Sequence, residues 1–166
     1  MTEAEVAVHI PRLRRYARAL VGERHAADDL VQDTLERAIN KFHLWRPGSD
    51  LRAWLFAIMH NVFVNQFRAR AARPEEPIDE TLEIAAAVSS PDGLELRDLD
   101  AALARLPLEQ REVLLLVGLE ELSYAEASKA LGIPIGTVMS RLFRGRERLR
   151  TLMAGVPAQP GLKVIK

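Results

Sequence analysis

The sequence contains no cysteine. That excludes disulfides, thiolate metal sites and a cysteine nucleophile, and it is compatible with a reducing cytoplasm. Aromatic residues make up only 5% of the chain against a hydrophobic fraction of 48%. A core built from such a composition is mainly aliphatic and helical. No apolar run approaches the roughly 20 residues needed to span a bilayer. The stretch MTEAEVAVHIPRLRR is acidic before it is basic and lacks an apolar signal core, so no export is expected and the cytoplasm is the expected compartment. A glycine-rich phosphate loop is also missing. His9, His25, His43 and His60 show no ligand spacing, so no metal site is expected. Asp28 and Asp29 are adjacent and project in different directions on a helix, which does not make a catalytic pair. Enzyme chemistry, a cofactor and a small-molecule substrate are therefore not expected.

A net charge is lacking as well, since 23 basic residues balance 23 acidic ones. The balance is uneven along the chain. Residues 1–72 hold 11 Lys and Arg against 8 Asp and Glu, a net of +3. Residues 73–102 hold 2 against 9, a net of −7, and residues 103–166 hold 10 against 6, a net of +4. Two mildly basic segments flank an acidic one, as in two units with basic partner surfaces and a solvated connection.

Helical periodicity runs through Leu13, Ala17 and Leu20, with Gly22 as the C-terminal stop. A second helix reads AADDLVQDTLERAINKF, with Asp28 and Asp29 in its first turn and Leu30, Thr34, Leu35 and Ala38 on its buried side. HLWRPGSD interrupts the pattern, and Ser49 or Asp50 caps the next helix, LRAWLFAIMHNVFVNQFRAR. RPEEPIDETLEIAAAVSSPDG follows, rich in proline and acid, and reads as a linker. Beyond it, Leu94–Leu106 is helical in pattern, Pro107 starts LEQREVLLLVGLEE, and Ser123 with Glu126 forms a capping box. No internal repeat and no strand of useful length is present. The expected fold is all-α, with two small helical domains joined by an acidic linker. The boundaries are 1–72, a linker at 73–92, 93–154, and a tail at 155–166.

Ser123–Leu131, a turn at Gly132 and a helix over Gly136–Arg150 make a helix-turn-helix in the C-terminal domain. At about 100° per residue, Val138, Leu142 and Leu149 fall on one side of the second helix. Ser140, Phe143 and Arg144 fall opposite, with Thr137, Arg141 and Arg148 toward the flank. A hydroxyl, an aromatic edge and an arginine suit base edges, and flanking arginines suit phosphates. In the first half, Trp45, Trp54, Phe56, Phe63 and Phe67 interleave with Arg52, Arg68 and Arg70. Aromatics with arginines are the ingredients of single-strand binding. Trp54 and Phe67 are expected in the core, and the loop His43–Ser49 is the expected place of base contact.

DDLVQDTLERA, LRAWLFAIMHNVF, the acidic linker, LPLEQREVLLL and LSYAEASKALGIPIGTVMSRLFRGRERL together resemble a bacterial extracytoplasmic-function (ECF) sigma factor of the sigma-70 superfamily. The resemblance covers about residues 8–152, in order and spacing. It implies a transcription initiation factor whose partners are core RNA polymerase, promoter DNA and an anti-sigma factor. By the same resemblance, Asp29, Gln32, Asp33 and Glu36 would contact polymerase. His43, Leu44, Trp45, Arg46, Asn61, Asn65 and Arg68 would engage the −10 element. Thr137, Ser140, Arg141, Phe143, Arg144 and Arg148 would engage the −35 element. Met139 and His60 depart from the family, which often has a basic residue at the first position and arginine at the second. Two other readings share these motifs: a sigma-like module that titrates an anti-sigma factor, and a helix-turn-helix regulator that acts without polymerase.

Overall fold

The computed structural model describes residues 3–71 and 91–154, and every regular element among them is helical. Residues 73–90 of the expected linker and the tail from 155 lie outside the described residues. The first half holds α1 (Glu3–Ala7), α2 (Ile10–Val21), α3 (Arg24–Asn40), a 3-10 turn (Phe42–Leu44) and α4 (Leu51–Ala71). The second holds α5 (Pro91–Ala104), α6 (Leu108–Leu114), α7 (Tyr124–Leu131) and α8 (Ile135–Met153), with a π-helical turn at Leu115–Leu119.

Local chemistry sets most of these limits. Gly22 ends α2 in the left-handed region at φ 87°, its N–H donating to the Arg18 carbonyl. α3 starts at Arg24, two residues before the expected start at Ala26. Glu23 caps it, accepting from the N–H groups of His25 at 3.0 Å and Ala26 at 2.8 Å, so the two aspartates sit in the second turn. Asp50 caps α4, accepting from the Arg52 N–H at 3.0 Å. Pro91 opens α5, which moves residues 91 and 92 out of the expected linker and into a helix. Proline fits there because a first-turn N–H has no intrahelical partner. Pro107 is the residue before α6 rather than within it.

The periodicity left one feature unforeseen. LEQREVLLLVGLEE is not one α-helix, because α6 widens into the π turn, closed by the Glu120 N–H to the Leu115 carbonyl at 2.9 Å. Glu121 then takes a left-handed φ of 60°, a conformation in which non-glycine residues are uncommon. The widened turn faces Glu120 inward, where its side chain is fully buried.

The two halves pack on one another and share a single apolar core. It includes Leu13, Tyr16 and Leu20 of α2, Phe56 and Met59 of α4, and Leu106, Leu116 and Val138 of the second half. Tyr16 meets Phe56 edge-on at 5.1 Å between ring centroids, a favoured aromatic geometry. Burial pushes the Tyr16 hydroxyl pKa well above its usual value. Polar contacts surround this shared core. Arg15 holds Glu120 through two hydrogen bonds, and Arg52 donates to the Glu120 carbonyl at 3.1 Å. His60 of α4 lies 2.6 Å from Glu112 of α6. Arg111 reaches back to the Leu20 carbonyl at 2.7 Å and also holds the carbonyls of Ala104 and Leu106. These are ends of helices, where carbonyls lack intrahelical partners. Burial lowers the Arg111 pKa.

Trp54 packs partly buried against the core. Phe67 does not, being 52% exposed, which corrects its expected place in the core. Burial along α4 stops at Phe63, and the helix runs on past the body that covers it. Phe67 leans on Phe63 at 6.0 Å between centroids. No described helix is long and apolar enough to cross a membrane.

Candidate nucleic-acid interface

The C-terminal arrangement follows from three local signals. Ser123 and Glu126 exchange hydrogen bonds at 3.0 and 2.8 Å, fixing the start of α7. Gly132 turns the chain at φ 69°, and its N–H closes on the Ser128 carbonyl at 2.9 Å. Pro134 then precedes α8, which begins at Ile135, one residue before the expected start. Val138 and Leu142 are buried as the helical angles require, and Leu149 packs partly buried against the core. α8 lies close to α6 at Gly145, where an added Cβ would stand 3.4 Å from Gln110.

The opposite face of α8 is open. Ser140, Phe143, Arg144 and Arg148 are exposed, whereas Thr137 and Arg141 are partly buried. The Ser140 hydroxyl donates to the Thr137 carbonyl at 3.3 Å and remains able to accept. Arg150 is held by Glu147 within α8. Arg141, Arg144, Arg146 and Arg148 make no ion pair among the described residues. The helix thus presents free guanidinium groups beside an aromatic and a hydroxyl, which suits a polyanion carrying base edges.

In the first half, Asn61, Asn65 and Arg68 are all exposed on α4. Their i, i+4, i+7 spacing puts them on one face. The preceding loop holds His43, Leu44 and Arg46 exposed and Trp45 partly buried. The Trp45 indole N–H is buried and has no acceptor among the described residues. No hydrogen bond among the described residues joins this loop to Asn61 or Asn65. Asp29, Gln32, Asp33 and Glu36 form an exposed stripe on α3, and Asp33 accepts from the Gln66 side chain at 2.6 Å.

A groove of about 280 Å³ runs between the halves. Phe63, Phe67 and Arg68 of α4 border one side, and Ile133 and Arg141 border the other. Arg68 and Arg141, expected to serve different DNA elements, therefore line one groove. Sequence reasoning missed the clasp formed by Arg15, Arg52, Arg111, Glu112 and Glu120. Its signal was available, because Glu112 and Glu120 flank the run VLLLVGL, where a charge requires a partner. Met139 was also set outside the DNA-facing group, although its helical angle places it beside Phe143.

Residues 96–149 match a family model described as Sigma-70, region 4, and residues 6–60 match one described as Sigma2 domain of PhyR. The chain is 39% identical over 153 residues to the ECF RNA polymerase sigma factor EcfG of Rhodopseudomonas palustris, covering 90% of this chain and 83% of that protein. The chain belongs to the ECF family of RNA polymerase sigma factors. This ECF sigma factor is also 36% identical to SigE of Mycolicibacterium smegmatis, covering 88% of its own length and 59% of that relative. Among solved structures, it resembles the sigma factor RpoE in complex with the anti-sigma factor NepR from Bartonella quintana. The TM-score is 0.79 at 36% identity, covering 92% of this chain and 96% of that one. Both halves and their order thus agree with sigma factor architecture.

Proposed function

We propose that this ECF sigma factor binds core RNA polymerase in the cytoplasm and directs it to promoters through two DNA-reading units. The observation that carries this reading is the open face of α8, where Ser140, Phe143 and Arg144 stand opposite the buried Val138 and Leu142. In the second unit, residues 93–154, Ser140, Phe143 and Arg144 read the −35 duplex. Thr137, Arg141 and Arg148 hold its phosphates. In the first unit, residues 1–72, the His43–Arg46 loop with Asn61, Asn65 and Arg68 captures the −10 element as it melts. Amide groups suit that task because they both donate to and accept from base edges. The stripe Asp29, Gln32, Asp33 and Glu36 docks on polymerase.

Because Arg68 and Arg141 border one groove, engaging two separate promoter elements requires the halves to part. Positions −10 and −35 are about 85 Å apart along a duplex that rises about 3.4 Å per step. Polymerase holds the opened arrangement, and an anti-sigma protein holds the sigma factor away from it.

Transcription by purified core polymerase on genomic DNA, with and without the protein, tests this reading. Mapped start sites that appear only with the protein and share elements near −10 and −35 are expected. No new start sites, combined with binding to an anti-sigma protein, would instead establish a titrating module.

A further inference from the structure

We propose that Met139 is a specificity-determining residue, which together with Phe143 reads the 5-methyl groups of thymines in the −35 element. The inference rests on the proposed role of α8 and assigns a residue outside the set expected there.

The exposed face of α8, which starts beside Leu142 with Met139, runs through Gly136, Met139, Ser140, Phe143 and Arg144, spaced i, i+3, i+4, i+7 and i+8. These residues lie in the N-terminal part of the helix, the part of a recognition helix that meets base edges. Two of the five are large and apolar. Met139 is 46% exposed and Phe143 64%. Neither belongs to the core or to the layer packed against it, so packing among the described residues accounts for neither. Gly136 also has open space around it, with nothing within 4 Å of an added Cβ. The bare first turn leaves room for a close approach.

Thymine is the base that presents a methyl group in the major groove, and apolar side chains recognise it there. Met139 and Phe143 are one turn apart, about 6 Å along the axis. That span corresponds to neighbouring base steps at about 3.4 Å each. Between them, Ser140 and Arg144 supply the polar contacts. A basic residue at position 139 would add a charge for phosphate or guanine. A thioether instead adds a flexible, polarisable apolar contact. The prediction is an element read partly by methyl groups, with thymines at two nearby positions.

The test uses the full chain assembled with core polymerase and a promoter found by start-site mapping. Each thymine of either strand in the −35 element is replaced singly by uracil, which keeps every hydrogen-bonding group and removes only the methyl. With the native protein, uracil at two nearby positions should weaken binding about threefold to fourfold each, the worth of one buried methyl group. Met139→Ala should abolish the sensitivity at one position and keep it at the other, and Phe143→Ala should do the reverse. Uracil tolerated everywhere, or Met139→Ala retaining both sensitivities, overturns the proposal while leaving −35 recognition by α8 standing. Binding indifferent to scrambling of the whole −35 element overturns both. Met139→Ala and the native chain are also compared on a promoter with every −35 thymine already replaced, where the two should bind alike. A difference there counts against methyl reading.

Discussion

Arg15 and Glu120, 105 residues apart, join the halves of the molecule through a two-point contact, Nη2 to Oε1 at 3.0 Å and Nε to Oε2 at 3.2 Å. Glu120 is fully buried, whereas the Arg15 side chain is half exposed. The same contact raises the Arg15 pKa. A buried carboxylate deprived of its partner is costly, whereas the exposed arginine loses little if Glu120 is removed. Arg15→Ala should therefore lower stability by about 2 kcal/mol, typical of a hydrogen bond to a charged group. Arg15→Ala combined with Glu120→Gln should cost less than the two single changes added together. Urea unfolding of the four proteins measures the coupling, and strict additivity would show that the contact contributes nothing.

Gly145 sits inside α8 where Gln110 approaches to 3.4 Å from an added Cβ. An alanine fits at that distance, and replacing a helix-interior glycine gains up to about 1 kcal/mol. Gly145→Ala should leave the thermal midpoint unchanged or raise it. Gly145→Leu should lower it sharply by forcing α6 and α8 apart. Equal tolerance of both would mean that the helices are not in close contact there.

Arg144 and Arg148 lie one turn apart on α8 and are both exposed, yet they should behave differently. Arg144→Ala should reduce discrimination against wrong bases in the −35 element by roughly 1–3 kcal/mol. Arg148→Ala should weaken binding to all sequences alike and reduce the salt slope by about one unit. Titrating polymerase holoenzyme with matched and mismatched promoters over a salt series separates the two. Identical sequence-independent losses would remove the base-contact role from Arg144.

Asn61 is exposed on α4, so Asn61→Ala should fold normally. It should reduce initiation from duplex promoters more than from a template whose −10 region is already unpaired. Normal output from both templates would remove Asn61 from −10 recognition.

Much of this was legible in the sequence because the signals were local. Ser123 and Glu126 announce the start of α7, Gly132 its end, and the spacing of Val138 and Leu142 the orientation of α8. The apolar positions of α2 and α3 are equally plain from period alone. What escaped was long-range or depended on a backbone irregularity. Nothing near Arg15 points to Glu120, and the π turn that faces Glu120 inward interrupts a run that reads as an ordinary helix. The exposure of Phe67 was hidden for a related reason. Its spacing from Phe63 is that of a core face, but burial ends one turn sooner, and helical period carries no information on where the covering elements stop. The helical start at Pro91 was not legible because a proline signals a break and a first turn alike.

The core shared by both halves has a consequence for folding. Leu13 and Phe56 belong to the same packed cluster as Leu106 and Val138, so neither half keeps its full apolar burial when the other unfolds. The free protein should lose its structure in one cooperative transition, with helix content and tertiary packing changing together. A cavity made at Leu13, by truncation to alanine, should lower the unfolding midpoint reported by a probe in α8 as much as by a probe in α3. Two separable transitions would be the signature of halves that merely touch.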